Sequence, residues 1–140
     1  MTERERRPNR TLGPNHDTFW DYCNQGEFRL QRCDGCGQFQ WPPTPMCNVC
    51  LGDEFTWTEL SGRAQVNTYC TFERRYYPEC PAPWDVILVE LEEGPLFMTN
   101  PVGLDMDRIE RGTPVQATFI DCEDDAGPFK LPVFEPADNA

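Results

Sequence analysis

Imidazole is almost absent from this chain: its 140 residues include one histidine, His16. A histidine acid–base catalyst or a Ser-His-Asp triad therefore has no candidate in the folded part. Long apolar runs are missing too. No stretch approaches the ~18 residues that a membrane span requires, and Met1-Thr2-Glu3-Arg4-Glu5-Arg6-Arg7 has nothing of the apolar centre of a secretory signal. A cytoplasmic protein with no membrane partner is expected. Positive charge is scarce, with 12 Lys and Arg against 24 Asp and Glu and a formal charge of −12. From Asp85 to Ala140, 13 acidic residues face only Arg108, Arg111 and Lys130. Such a surface repels phosphate backbones, which argues against a stand-alone nucleic-acid-binding protein. Helical periodicity is brief, whereas 14 Pro and 10 Gly imply many turns.

Cysteine, by contrast, is plentiful, and four of the eight residues form two C-x-x-C pairs separated by ten residues: Cys33 and Cys36, then Cys47 and Cys50. Each pair fits a tight turn that aims two thiolates at one point, and four soft ligands in a tetrahedron suit a structural Zn²⁺. A rubredoxin-type iron is the other metal such a site takes. A thioredoxin-like redox role lacks its βαβ setting. Four thiolates also leave no open position for a catalytic water, so the metal is a staple rather than a reaction centre. Cys23, Cys70, Cys80 and Cys122 read as small hydrophobes, since no histidine stands near to activate a thiol. No pair of carboxylates stands out from the acidic background.

Along the chain, residues 1–16 carry four arginines and little that enters a core, so a mobile tail is expected there. From Asp17, a candidate cap, Phe19, Trp20 and Cys23 fall at helical spacing before Gly26. Phe28 to Cys33 and Phe39-Gln40-Trp41 form the two arms of a hairpin around the first ligand pair. Phe55 to Leu60 alternates as a strand, Ser61-Gly62 bends it, and Ala64 to Phe72 continues it. Trp84 to Leu91, Leu96 to Asn100, Pro114 to Ile120 and Phe129 to Phe134 complete five strands, with Asp121 to Gly127 as an acidic loop. Five strands, the first long and bent, suggest an OB-type barrel. The expected fold class is mainly β: helix and metal ribbon over 17–54, a five-stranded barrel over 55–136, and a short tail at 137–140.

The stretches Gly26-Glu27-Phe28-Arg29-Leu30-Gln31-Arg32-Cys33-Asp34-Gly35-Cys36-Gly37 and Gln40-Trp41-Pro42-Pro43-Thr44-Pro45-Met46-Cys47-Asn48-Val49-Cys50 resemble the rubredoxin-like zinc ribbon of the family long catalogued as domain of unknown function 35. Ser61-Gly62-Arg63-Ala64, Val89 to Pro95, Arg111 to Val115 and Leu131 to Phe134 resemble its OB-fold. The resemblance implies a small subunit in a hetero-oligomer with a thiolase-like partner. That partner performs carbon–carbon bond chemistry on an acyl-CoA, and the small subunit serves assembly or presentation of the CoA thioester. A hydratase or retro-aldolase is the alternative partner. Glu73 to Trp84 departs from the simplest family pattern. There Arg74 and Arg75 are candidates for CoA phosphates, with Tyr76, Tyr77 or Trp84 as a stacking face for adenine. Phe19, Trp20 and Trp41 are candidates for docking on the partner subunit.

Overall fold

A computed structural model describes residues 4–137, and the ends of the expected tails, 1–3 and 138–140, lie outside the described residues. Helix α1 (Pro14–Asn24) begins earlier than Asp17, because Pro14 supplies a helix-ready φ at the first turn. Asp17 still serves this end: its carboxylate accepts the Gly13 N–H at 3.1 Å from inside the helix. With β1 (Glu5–Arg6) introduced first, the next strands are β2 (Arg29–Cys33), β3 (Phe39–Gln40) and β4 (Phe55–Glu59). They form an antiparallel sheet in the order β3-β2-β4. The hairpin expected around the first ligand pair is thus present, with Gln31 opposite Gln40 and Arg32 opposite Phe39. Phe55–Glu59, grouped with the barrel in the sequence reading, pairs with β2 instead, so the chain changes sheet at Leu60 to Gly62.

The barrel strands are β5 (Arg63–Phe72), β6 (Trp84–Leu91), β7 (Leu96–Thr99), β8 (Pro114–Asp124) and β9 (Gly127–Pro136). β5, β6 and β7 form a meander, β8 returns to β5 at Pro114 to Gln116, and β9 pairs with β8 along its length. No full ladder closes the sheet between β7 and β9. A parallel bridge between Pro101 and Phe134 draws those edges together, with Val102 donating to the Phe134 carbonyl at 2.8 Å. This is the order of an OB-fold with a loosely joined seam.

One apolar core runs through both modules. Ile87, Val89 and Leu91 alternate inward on β6 and meet Val66, Phe97, Val115 and Phe134 from neighbouring strands. Phe19 and Cys23 of the helix, Phe28 and Leu30 of the ribbon and the connecting Leu60 join the same cluster. Beyond Val66, where the β5–β6 register slips, β5 leaves the core, and Tyr69 to Phe72 are exposed.

The acidic stretch from Asp121 is not a loop. Asp121 to Asp124 continue β8 into a two-residue turn, because cations meet their charges. Lys130 pairs with Asp121 at 2.9 Å across the hairpin, and Arg10 pairs with Asp124 at 2.8 Å. Arg6 pairs with Asp125. The stretch expected as a tail supplies two of these three partners. Glu5 and Arg6 add a parallel strand to β8 opposite Cys122 and Glu123, where β5 no longer covers that edge.

Candidate metal centre and aromatic cleft

The two C-x-x-C turns are built alike. Cys33 N–H bonds the Gln38 carbonyl and Gly37 N–H the Cys33 carbonyl, and in the second turn Cys47 N–H bonds Gly52 and Leu51 N–H bonds Cys47. This symmetry brings four sulfurs within 4.8 Å of one another, with Cys33 and Cys50 3.5 Å apart and Cys36 and Cys47 3.6 Å apart. A tetrahedral zinc–thiolate centre with bonds of ~2.3 Å has sulfur–sulfur edges of about 3.8 Å, so the donor set fits one structural Zn²⁺ with little adjustment. Cys33 and Cys47 are buried, whereas Cys36 and Cys50 face outward. The Cys47 sulfur accepts backbone N–H groups from Cys50 at 3.5 Å and Val49 at 3.4 Å, and these hold its pKa down to about 6. Thiolate formation is therefore favoured at Cys47, whereas Cys36 is pushed up to about 12 and Cys50 is also raised beside the neighbouring thiols.

Two buried glutamines secure the second turn. Gln31 clamps the Thr44 backbone at both ends, accepting its N–H at 2.9 Å and donating to its carbonyl at 3.0 Å. Gln40 accepts the Asn48 N–H at 3.3 Å and donates to the Cys47 sulfur at 3.5 Å. A Cβ at Gly52 would stand 3.3 Å from the Cys50 sulfur, so a side chain there would press that sulfur aside by a few tenths of an ångström.

The two turns differ in one respect. Gly37 adopts φ +79°, and the equivalent position in the second turn is Leu51 at φ +67°. Leucine pays a steric penalty there, and its side chain is 70% exposed, so burial returns little. Leu51→Gly is expected to stabilise the ribbon by about 0.5 to 1 kcal/mol, the relieved strain less the extra freedom of the unfolded chain. A higher melting temperature and slower metal loss to a chelator would register it.

The second feature is an open cleft of about 670 Å³ where the 73–83 connection leaves the barrel. It is lined by Phe72, Arg74, Tyr76, Tyr77, Cys80 and Trp84 together with Arg7 and Pro8. Phe72 and Tyr76 meet edge to face at 5.8 Å. No acidic residue is among these eight, in a chain with twice as many acids as bases. Of the five residues expected to meet CoA, the cleft gathers Arg74, Tyr76, Tyr77 and Trp84. Arg75 does not line it, and its guanidinium donates to the Pro78 carbonyl instead. Arg7 and Pro8 were missed because their place depends on pairing with β8. The signal available was the contrast between a basic first segment and the acidic run at Asp121 to Asp125.

Of the three residues expected to dock on the partner subunit, Phe19 lies in the core, whereas Trp20 and Trp41 pack against it and stay partly exposed. Phe19 is 1% exposed and meets Trp20 at 5.0 Å and Trp41 at 4.7 Å. Trp41 packs at a tilt against Phe97 at 4.8 Å and Trp20 meets Phe129 edge to face at 5.3 Å, so these rings join helix, ribbon and barrel. The exposed apolar residues of the ribbon are Met46, Val49 and Leu51. Of the other cysteines, Cys23 and Cys122 are fully buried, and burial pushes their thiols up to about 12 and about 11. Cys70 is exposed.

Comparison with known proteins agrees with this architecture. Residues 20–56 match the model of the ChsH2 rubredoxin-like zinc ribbon domain, and residues 57–119 that of the ChsH2 C-terminal OB-fold domain. A probable enoyl-CoA hydratase alpha subunit from Thermomonospora curvata is 32% identical over 94% of this chain and 40% of its own length. The 3-oxo-4,17-pregnadiene-20-carboxyl-CoA hydratase alpha subunit of Mycobacterium tuberculosis is 33% identical over 76% of this chain and 34% of its own. The chain thus spans well under half of these curated relatives. Among solved structures, the Ltp2-ChsH2(DUF35) aldolase matches with a TM-score of 0.80 and 30% identity, over 91% of this chain and 98% of that one. With its zinc ribbon, OB-fold and near-complete overlay on a DUF35 chain, this protein belongs to the DUF35 family.

Proposed function

We propose that this chain is the zinc-containing accessory subunit of a heteromeric, thiolase-like acyl-CoA enzyme in the cytoplasm. Cys33, Cys36, Cys47 and Cys50 hold one structural Zn²⁺, and the carbon–carbon bond chemistry takes place on the partner subunit. The observation that carries the reading is the overlay on the DUF35 chain of an aldolase whose name joins it to a second component. The absence of histidine between residues 17 and 140 is consistent with it, since imidazole acid–base chemistry has no group there.

The aromatic cleft is the surface that presents the CoA thioester. Arg74 is exposed and makes no ion pair among the described residues, so its guanidinium is available to a phosphate. Tyr76, Tyr77 and Trp84 offer faces on which adenine stacks. A second reading, in which the partner is an acyl-CoA hydratase, is favoured by the two curated relatives, both hydratase alpha subunits.

Purification of the tagged chain from its native host, with mass spectrometry of what accompanies it, tests the proposal directly. A thiolase-like chain is expected to co-elute, and its turnover of acyl-CoA thioesters is expected to fall at least tenfold when this subunit is withheld. Carbon–carbon cleavage products support the first reading and hydrated products the second. Elution alone, with no CoA binding, would reject both.

A further inference from the structure

The cleft has one wall that the family resemblance did not suggest. Residues 5–10 lie along the outer edge of β8, with Glu5 opposite Cys122 and the Arg7 N–H bonded to the Glu123 carbonyl at 3.0 Å. Asn9 and Asp125 exchange two hydrogen bonds of 3.1 Å, and Arg10 is locked to Asp124. This arm is held at both ends, and Arg7 is fixed between them.

Arg7 is spent differently from Arg74. Its side chain is 11% exposed, one terminal nitrogen donates to the Asn100 carboxamide at 2.6 Å, and the other pairs with Glu5 at 3.0 Å. Asn100 in turn donates to the Asp85 carbonyl at 2.8 Å, beside Trp84. So tethered, the guanidinium sits 4.8 Å above the Trp84 ring. A cation over one face of an indole holds the ring and leaves its opposite face and edge to other contacts. The cleft beside this pair carries aromatic surface and a second cation, Arg74, which makes no ion pair among the described residues. Arg7 is balanced by Glu5, so the free positive charge among the stacking rings is that of Arg74, and rings beside a free cation select a ligand that is both planar and anionic.

We propose that the N-terminal arm is an integral wall of this cleft, and that Arg7 is a positioning residue that fixes Trp84 for stacking with the phosphorylated adenosine end of CoA. The inference rests on the CoA reading above and adds the arm to it. Arg74 makes the phosphate contact, whereas Arg7, already neutralised by Glu5, acts through the ring.

The test is calorimetric titration of the full, zinc-loaded chain with adenosine 3′,5′-bisphosphate at two salt concentrations, for wild type, Arg74→Ala, Arg7→Ala and Arg7→Lys. Arg74→Ala is expected to weaken binding about tenfold and to flatten its salt dependence, as loss of a charge-assisted contact should. Arg7→Ala is expected to weaken binding about fivefold while leaving the salt dependence as in wild type. Arg7→Lys, which keeps a cation over the ring, should recover most of that loss. If Arg7→Ala does not fold, Arg7→Gln is read in its place.

Wild-type affinity in the Arg7 variants, with Arg74→Ala impaired, overturns the role of the arm and leaves the cleft intact. A flattened salt dependence in Arg7→Ala also overturns it, because Arg7 would then be a phosphate contact. Unchanged affinity in both Arg7→Ala and Arg74→Ala removes the CoA assignment of the cleft, and the arm's role with it.

Discussion

Cys47→Ser, or withdrawal of metal by a strong chelator, is expected to unfold the ribbon while the barrel keeps its strands. Between residues 34 and 54 only Gln40, Pro43 and Cys47 are buried, so no apolar cluster of its own holds the two turns in place. Their core is the metal. Apparent binding energies of structural zinc in small fingers are about 10 to 16 kcal/mol near neutral pH, far more than hydrogen bonds to Thr44 and Asn48 supply. The barrel has a core of its own to draw on: Val66, Ile87, Val89, Val115 and Phe134, all on barrel strands, are each at most 1% exposed.

Trp41 makes the event visible, because its ring contacts Phe19 and Phe97 and leaves them if the ribbon lets go. Its fluorescence should change on chelation, while the far-ultraviolet signal of the barrel persists to higher temperature. Metal analysis should give one zinc per chain, and a colourless protein, since a rubredoxin-type iron centre would absorb in the visible. Retention of the ribbon's Trp41 environment after complete metal removal would show that the metal is dispensable to the fold.

What could be read from the sequence divides along a physical line. Features set by near neighbours were legible: the C-x-x-C turns, the β2–β3 hairpin and the strand Trp84 to Leu91 each depend on residues a few positions apart. Features set by charge meeting charge across the chain were not. The run Asp121 to Asp125 looks like a solvated loop because its cations, Arg6, Arg10 and Lys130, lie up to 119 residues away or on the next strand. For the same reason Arg7 appeared to belong to a tail. In the cleft, the composition of the 73–84 insertion identified the aromatic rings and Arg74. The backbone of Pro78 decided that Arg75 should be occupied elsewhere. Phe19, Trp20 and Trp41 illustrate a different ambiguity: large rings beside a ribbon serve interfaces and cores equally well, and here Phe19 is buried while Trp20 and Trp41 stay partly exposed.

The arm's attachment supports the last prediction. Arg10 and Asp124 are 10% and 1% exposed, and the carboxylate also accepts the Arg10 N–H at 3.0 Å and the Ala126 N–H at 2.9 Å. The Arg10 guanidinium lies 4.2 Å from the Phe129 ring and 5.4 Å from Trp20, so one side chain ties arm, helix and hairpin together. Removing one member of a buried pair costs about 3 to 5 kcal/mol, because the other charge is stranded. Here release of the arm lets water reach Asp124, so Arg10→Ala should cost about 3 kcal/mol, the low end of that range. A fall of about 10 °C in melting temperature is expected for a domain of this size. The loss should appear first as faster hydrogen exchange at the Arg7 and Arg10 amides.

Acid should act through the same pair. The Arg10 side chain, followed by the Arg10 and Ala126 backbone N–H groups, holds the Asp124 carboxyl down to about 2 against an ordinary value of 3.8. Between those values the unfolded chain binds the proton and the folded one does not, so stability falls as pH drops through that window. A difference of this size corresponds to about 2 kcal/mol at full expression. The contribution is complete above about pH 5, and in Arg10→Ala the slope of stability against pH between about 4 and 2 should flatten. An acid transition identical in wild type and Arg10→Ala would show that Asp124 draws its low pKa from the turn amides alone, and that the arm is held by something other than this pair.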